Sequence, residues 1–336
     1  MNELQKEQIK KVIYTFATLS NISDKQLCDN LINRLISMNI DDVMDYLIVS
    51  LSDLVSRGAL KQDDVFSNAN LLISISPEKY SSTDDLMKRL NWLKSMNMEH
   101  PQMPLSENHK LVIESFDKFN QIIGTNFDAY YTGGLMGYLA TNHQLERYHG
   151  DLDLFINEEQ LLTLYDLIKQ SEDFEFISNM DHKEENGHEF KIQYKGTPMS
   201  IGLFLFERKP DNEIVIKEYY HANNNQDEEL LVNEQHLAPE YAQMIFSEQV
   251  RQHNGIPYKM QSLESIYNAK KNSRPKDRYD ASIIKDSVNL MVDYNLDTKK
   301  QNNYDVKRKN ADVSIVAKLE KKIKSLNDEL EARRHI

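Results

Sequence analysis

The sequence predicts an α+β protein in which a helical N-terminal domain precedes a mixed β-sheet domain with C-terminal helices. Apolar residues recur at helical spacing from Glu3 to Leu93. Short apolar runs separated by turn residues follow between 127 and 235, as in strands. Helical spacing then returns from Pro239 onward. Separate groups of strands and helices favour the α+β class.

The length of the chain indicates more than one domain. It has 336 residues, whereas single cores stop growing near about 250–300 residues. Pro101 and Pro104 disfavour a helix between them and so predict a linker. The predicted segments are an all-helical accessory domain (1–97), a linker (98–106), a core (107–236), a C-terminal helical subdomain (237–294), and a polar linker with a basic amphipathic helix (295–336).

The amino-acid composition indicates which kinds of partner and which cellular compartment to expect. The net charge of −13 argues against broad nucleic-acid binding, although the basic tail leaves a local RNA contact open. Cys28 is the single cysteine, which excludes an internal disulfide and a Cys-based zinc site. No membrane span or signal peptide is predicted, because Met1–Lys11 is charged and no long uncharged apolar run exists. A cytoplasmic protein is expected.

Polar residues predict where several helices begin and end. Asp24 is expected to start the second helix, and Asn39 to end it. Ser82 is expected to open a helix over Thr83–Met96, and Ser106 to open the next. No catalytic group of residues is visible in the N-terminal part.

Glycines cluster after the apolar run Phe127–Tyr131. Three of the ten glycines, Gly133, Gly134 and Gly137, fall within five residues. Glycine is favoured where a backbone takes positive φ or approaches a ligand closely. A strand, a Gly-Gly turn and a helix N-terminus together favour anion binding, with phosphate as the natural ligand.

Two aspartates begin the next apolar run. Strand alternation places Asp151 and Asp153 on one face and Leu152 and Leu154 on the other. Two carboxylates about 7 Å apart along a strand can share a divalent cation such as Mg²⁺.

The Gly-Gly pair and the residues Arg147, His149, Asp151 and Asp153, at alternate positions, carry a resemblance. Together they resemble the nucleotidyltransferases of the polymerase-β superfamily. The greatest similarity is to the aminoglycoside and lincosamide nucleotidyltransferases and to the AbiEii-type toxins of abortive-infection systems. The resemblance covers roughly Phe127 to Met291, and it implies a nucleotidyltransferase fold for the sheet domain.

The resemblance implies roles for these residues. Thr132, Gly133 and Gly134 would hold the phosphates of an NTP. Asp151 and Asp153 would be catalytic and would bind Mg²⁺, with Mn²⁺ as an alternative metal.

Basic residues complete the expected nucleotide site. A lysine-bearing helix and the sequence from Arg274 to Asp280 resemble the C-terminal helices of the same family, which bring a basic residue to the nucleotide. Lys270 or Lys276 would then meet the triphosphate with Arg147 and Arg274, and Lys276 is the predicted catalytic cation. His149 would act on the phosphates or hydrogen-bond Asp151.

The sequence departs from the family at the third carboxylate. The resemblance implies an acidic residue on the strand Met199–Phe206, but the expected positions hold Ser200 and Gly202. Glu207 and Glu189 are alternatives, and the general base stays unassigned.

The expected activity is transfer of an NMP from an NTP to a hydroxyl of an RNA or tRNA end, a protein, or an aminoglycoside-like small molecule. The alternative is a non-catalytic module that binds an NTP and a partner, as the missing carboxylate suggests. Residues 295–312 are polar and are predicted to be flexible. Val316, Leu319 and Ile323 begin a short heptad seam, which is expected to pack on this chain or on a second copy as a homodimer.

Overall fold

The protein is described here by a computed structural model that covers residues 1–56, 62–96, 103, 105–178, 190–221, 230–290, 304–311 and 314–334. It is a mixed α/β protein with an N-terminal helical region and a mixed sheet. The chain divides into two compact units, Met1–Leu111 with Glu146–Tyr148, and Val112–Leu145 with His149–Ile336. The five predicted segments are finer than this division and stay a prediction. Most of the predicted linker 98–106 lies outside the described residues.

Helices make up the first unit. Buried apolar residues recur along them at helical spacing, for example Ile9, Val12, Ile13 and Phe16. The prediction of a helical N-terminal region is therefore confirmed. The helices are α1 (Glu3–Leu19), α2 (Lys25–Ile36), α3 (Ile40–Ser56), α4 (Gln62–Ile73), α5 (Thr83–Ser95) and the beginning of α6 (Leu105–Ile123).

The predicted helix boundaries were right at two positions and wrong at two others. Asp24 caps α2 and Ser82 caps α5 through their side chains, as predicted. Asn39 was predicted to end α2, but its side chain accepts a hydrogen bond from the N–H of Asp42 at 2.9 Å and so caps α3. Ser106 was predicted to start a helix, but α6 already begins at Leu105.

A mixed sheet forms the centre of the second unit. Its described strands are β1 (Ala129–Thr132), β2 (Asp151–Asn157), β3 (Phe174–Ser178), β4 (Phe190–Tyr194), β5 (Ser200–Arg208), β6 (Ile214–His221), β7 (Leu230–Leu237) and β10 (Tyr304–Asn310). They follow the order β1-β2-β5-β6-β7-β10, with β3 joined through β4 to β5. β2 and β5 are parallel, and the other described pairs of this sheet are antiparallel.

Further helices and a small hairpin complete this unit. Leu152, Leu154 and Ile156 of β2 are buried on one face of the sheet. On the other face, Tyr130 and Phe206 form a core cluster with Phe246. The added elements are α7 (Gly134–Thr141), α8 (Leu161–Gln170), α9 (Pro239–Ile245), β8 (Arg251–His253), β9 (Ile256–Tyr258), α10 (Leu263–Lys270), α11 (Pro275–Ile284) and α12 (Ile315–Arg334).

The prediction of a flexible segment at 295–312 was wrong for its second half. Residues Tyr304–Asn310 form β10, which pairs with β7 in antiparallel register. The segment carries three successive basic residues and lacks the apolar alternation of a half-buried strand. Its conformation comes from backbone pairing with β7, which local sequence does not reveal.

The start of the C-terminal seam packs within its own unit. Val316 and Leu319 of α12 are fully buried, and the Lys322 ammonium lies 2.5 Å from the Asp166 carboxylate of α8. This part of the seam therefore has a partner in the same chain. None of the described helices combines the length and apolar composition that a membrane crossing requires.

Candidate functional site

The Gly-Gly turn joins β1 to α7, as the sequence predicts. Gly133 is the N-cap of α7, with φ 85° and ψ −174°. This backbone region is accessible essentially to glycine alone. Because Gly133 has no side chain, it makes no side-chain cap for the helix. The first-turn N–H groups of α7 therefore depend on other acceptors.

Asp153 is the side chain that lies against this turn. A Cβ atom built on Gly133 would be 2.6 Å from the Asp153 Oδ2 atom and 3.5 Å from its Cγ. Thr132 also pairs directly with Asp153 across β1 and β2. Two motifs some twenty residues apart, which the sequence linked only by resemblance, thus form one cluster.

Replacing Gly133 by alanine is expected to lower the free energy of unfolding by about 2–4 kcal/mol, through backbone strain and overlap with Asp153. Urea denaturation measures the change. Gly150→Ala is the matched control, because Gly150 has no heavy atom within 4 Å of its ideal Cβ position. Equal midpoints for the two variants would contradict the described turn.

Gly137 serves packing between helices. Its ideal Cβ would lie 2.7 Å from Cγ2 of Ile284, so α7 and α11 approach closely at this point. Only the Gly133–Gly134 pair lies at the turn.

Asp151 and Asp153 share one face of β2, as strand alternation predicted. The buried residues Leu152 and Leu154 occupy the opposite face. The side chain of Asp151 is exposed and makes no hydrogen bond or ion pair with the described residues. Asp153 is half-buried beside Gly133. The carboxylate of Asp151 is therefore accessible to a ligand, whereas that of Asp153 lies against the Gly-Gly turn.

The neighbouring strand supplies no third carboxylate. In the parallel register of β2 and β5, Ser200 lies beside Asp151 and Gly202 beside Asp153. Glu207 lies five positions beyond Gly202, about 16 Å along the strand. Its carboxylate is 2.6 Å from the Lys217 ammonium. Glu189 lies outside the described residues.

The fit of the site to a metal rests on two carboxylates. The described residues contain no group of three or more His, Cys, Asp or Glu side chains that could hold a metal ion. Mg²⁺ in phosphate-processing sites is commonly bound by one or two carboxylates together with substrate phosphates. Asp151 and Asp153 meet that minimum, provided that phosphate supplies further oxygen ligands.

His149 and Arg147, which the sequence assigned to the nucleotide site, are buried in different units of the structure. His149 is buried in the second unit, with its ring edge-to-face against Tyr138 at a centroid distance of 5.5 Å. Arg147 is buried in the first unit, where its guanidinium donates to the carbonyl of Tyr148 at 2.5 Å. Both side chains contact protein groups, which favours positioning roles.

Lys270 belongs to a buried cluster of charges. Its ammonium lies 2.5 Å from the Asp277 carboxylate and 3.1 Å from that of Asp280, and both aspartates are buried. The Arg274 guanidinium also reaches Asp277, at 2.7 Å, although 66% of the Arg274 side chain is exposed. Lys276 is half-buried in the first turn of α11. Among these cations, Arg274 is the most accessible to a ligand.

Two residues near the aspartates were missed from the sequence. Gln261 is buried, and its Oε1 atom accepts a hydrogen bond from the Thr132 hydroxyl at 2.7 Å. Lys191 of β4 pairs with Gly202 and so stands on the Asp153 face of the sheet. Alternation in β4 could have indicated which face Lys191 occupies. No local pattern links Gln261 to Thr132, which is 129 positions away.

Comparisons with protein-family models and with curated proteins gave no match to this chain.

Proposed function

We propose that this protein is a nucleotidyltransferase, which moves a nucleoside monophosphate from an NTP to a hydroxyl acceptor. The contact between Gly133 and Asp153 carries the proposal, because it joins a Gly-Gly helix start to a pair of strand carboxylates. A helix N-terminus favours phosphate, and a carboxylate pair favours a divalent cation. An NTP with Mg²⁺ supplies both ligands at once.

The phosphates would lie at the first turn of α7. Its N–H groups lack a side-chain cap from Gly133 and point out of the helix end. Asp153 brings negative charge to the same place, so phosphate would be repelled unless a cation lay between them. Bound Mg²⁺ would neutralise this charge and the charge that develops on the leaving group. Arg274 and Lys276 are the proposed further cations.

In the proposed reaction the acceptor oxygen forms a bond to the α-phosphorus. The bond from that phosphorus to the oxygen bridging to the β-phosphate breaks, and pyrophosphate leaves. Asp151 and Asp153 would hold the metal ion, which would supply positive charge beside the reacting phosphate. The hydroxyl proton passes to a base that is not assigned, since Ser200 and Gly202 flank the two aspartates on β5.

The lack of an acidic residue at Ser200 and Gly202, beside the two aspartates, favours a second candidate function. A protein that binds an NTP without turnover needs the Gly-Gly turn and the carboxylate pair, but it needs no base for the acceptor. The positions of Ser200 and Gly202 support this alternative. It predicts nucleotide binding without formation of a labelled product.

Two features of the chain favour different classes of acceptor. A net charge of −13 suits a cationic small molecule such as an aminoglycoside, because negative clefts concentrate cations. The additional helical unit at 1–111 suits a larger acceptor, either an RNA end or a protein hydroxyl. All three classes belong in the test.

The test is incubation of the purified chain with each α-³²P-labelled NTP and Mg²⁺ or Mn²⁺. Separate reactions contain total RNA, a protein extract or an aminoglycoside panel, each repeated with EDTA. We expect label in one acceptor fraction, dependent on metal. If the protein binds an NTP but no fraction gains label, the non-catalytic alternative replaces the transferase.

A further inference from the structure

A polar cavity of about 240 Å³ lies in the second unit, where the segment after α9 meets the start of α10. Ser247, Arg251, Gln261, Ser262, Leu263 and Glu264 contribute to its wall. Pockets that enclose whole drug-sized ligands usually exceed about 300 Å³. This cavity therefore suits a small polar group or one part of a larger ligand.

Arg251 gives the cavity a positive charge. It is half-buried on β8, and its guanidinium makes no hydrogen bond or ion pair with the described residues. A guanidinium has five N–H donors in a planar fork that matches carboxylate or phosphate oxygens. A recessed arginine without a protein counterion favours an anionic ligand.

Backbone N–H donors at the start of α10 line the same cavity as Arg251. Ser262 caps α10, and its hydroxyl oxygen accepts from the Ser265 N–H at 3.2 Å. The first-turn N–H groups of Leu263 and Glu264 have no acceptor among the described residues. Both residues line the cavity, so the positive end of the helix dipole adds to the arginine charge.

Glu264 opposes this charge. Its carboxylate accepts a hydrogen bond from the backbone N–H of Asn289 at 3.2 Å, and the residue lines the same cavity. Removing the negative charge of Glu264 should therefore strengthen the binding of an anion, whereas removing Arg251 should weaken it.

Gln261 connects the cavity to the candidate site. It lines the cavity, and its Oε1 atom accepts from the hydroxyl of Thr132. Thr132 in turn pairs with Asp153 across the sheet. The cavity thus adjoins the β1 side of the carboxylate pair.

We propose that this cavity binds a phosphate group through Arg251 and the start of α10. The phosphate belongs to the bound nucleotide or to the backbone of an RNA acceptor. The phosphate site is inferred from the residues that line the cavity. The choice between nucleotide and RNA as the source of the phosphate rests on the proposed nucleotidyl transfer.

Calorimetric titration of the full chain with inorganic pyrophosphate in EDTA tests the site without a metal contribution. Arg251→Gln is expected to weaken binding about tenfold to a hundredfold, through loss of charge-assisted hydrogen bonds. Glu264→Gln is expected to tighten it severalfold, an effect that misfolding cannot produce. Lys169→Gln is the control, because Lys169 is exposed on α8 and does not line the cavity.

Titrations with ATP, AMP and a short RNA distinguish the sources. An Arg251 effect on ATP but not RNA assigns the nucleotide, and the reverse assigns the acceptor backbone. Wild-type affinity for pyrophosphate in both variants, or no binding by the wild type, overturns the proposal. Arg251-dependent binding without any label transfer would instead reject the transferase and keep the phosphate site.

Discussion

Replacing Asp153 by asparagine is expected to abolish nucleotidyl transfer, with a loss of about a thousandfold or more. Asparagine keeps the shape of the side chain beside Gly133 but removes the charge that a metal requires. Metal stabilisation of transferring phosphate supplies several kcal/mol, and each 1.36 kcal/mol corresponds to tenfold in rate. Asp151→Asn is expected to behave similarly. Label transfer from the α-³²P-NTP measures the loss.

Glu175→Gln provides the matched control for both aspartates. Glu175 is an exposed carboxylate on the same sheet face, placed there by the register of Glu175 with Gln193, of Gln193 with Ser200, and of Ser200 with Asp151. It lies three strands away from β2, about 14 Å. A transfer rate that drops equally in all three variants would indicate a general charge effect. Full activity in Asp153→Asn would falsify the metal assignment.

Replacing Lys270 by methionine is expected to destabilise the second unit by about 3–5 kcal/mol. The change keeps the length of the side chain but leaves the buried carboxylates of Asp277 and Asp280 with one cation fewer. Breaking a buried ion pair from one side is costly, because the remaining charge stays desolvated. Urea denaturation measures the loss. Lys271→Met is the control, since, among the residues that the structure describes, the ammonium of Lys271 hydrogen-bonds only the neutral side chain of Asn268, at 2.6 Å.

The pH dependence of stability should report the same cluster. Burial raises the pKa of the Asp277 carboxyl, but Arg274 and Lys270 outweigh it and hold that pKa well below its usual range. Asp277 therefore contributes stability that is fully present above its unfolded pKa of about 3.9 and is lost as the pH falls below that value. Lys270→Met should reduce this acid-dependent loss. An unchanged midpoint and an unchanged acid profile would show that the cluster carries no stability.

Within this cluster, Lys270 is a structural cation and Arg274 is a solvent-accessible one. Lys270 fixes α10 to α11 through two buried aspartates, so its charge is already balanced within the protein. Arg274 keeps most of its side chain in solvent. Of the basic residues that the family resemblance suggested for the nucleotide, Arg274 is thus better placed than Lys270 to contact an added ligand.

Local patterns in the sequence determined the elements of this protein. The helical spacing of Ile9 to Phe16 and the caps at Asp24 and Ser82 sufficed for helices, because these signals lie within a few residues. Alternation placed Asp151 and Asp153 on one face for the same reason. The Gly-Gly turn was also found, since positive φ is a property of single residues.

Only the tertiary structure decided which elements meet. Strand register brought Ser200 and Gly202 beside the two aspartates. Helix packing assigned Gly137 to Ile284, and long-range hydrogen bonding joined Gln261 to Thr132. Backbone pairing with β7 made a strand of the basic segment 304–310. Each of these contacts joins residues far apart in the chain, so its energy depends on the packing of the whole unit and leaves no pattern in the local sequence.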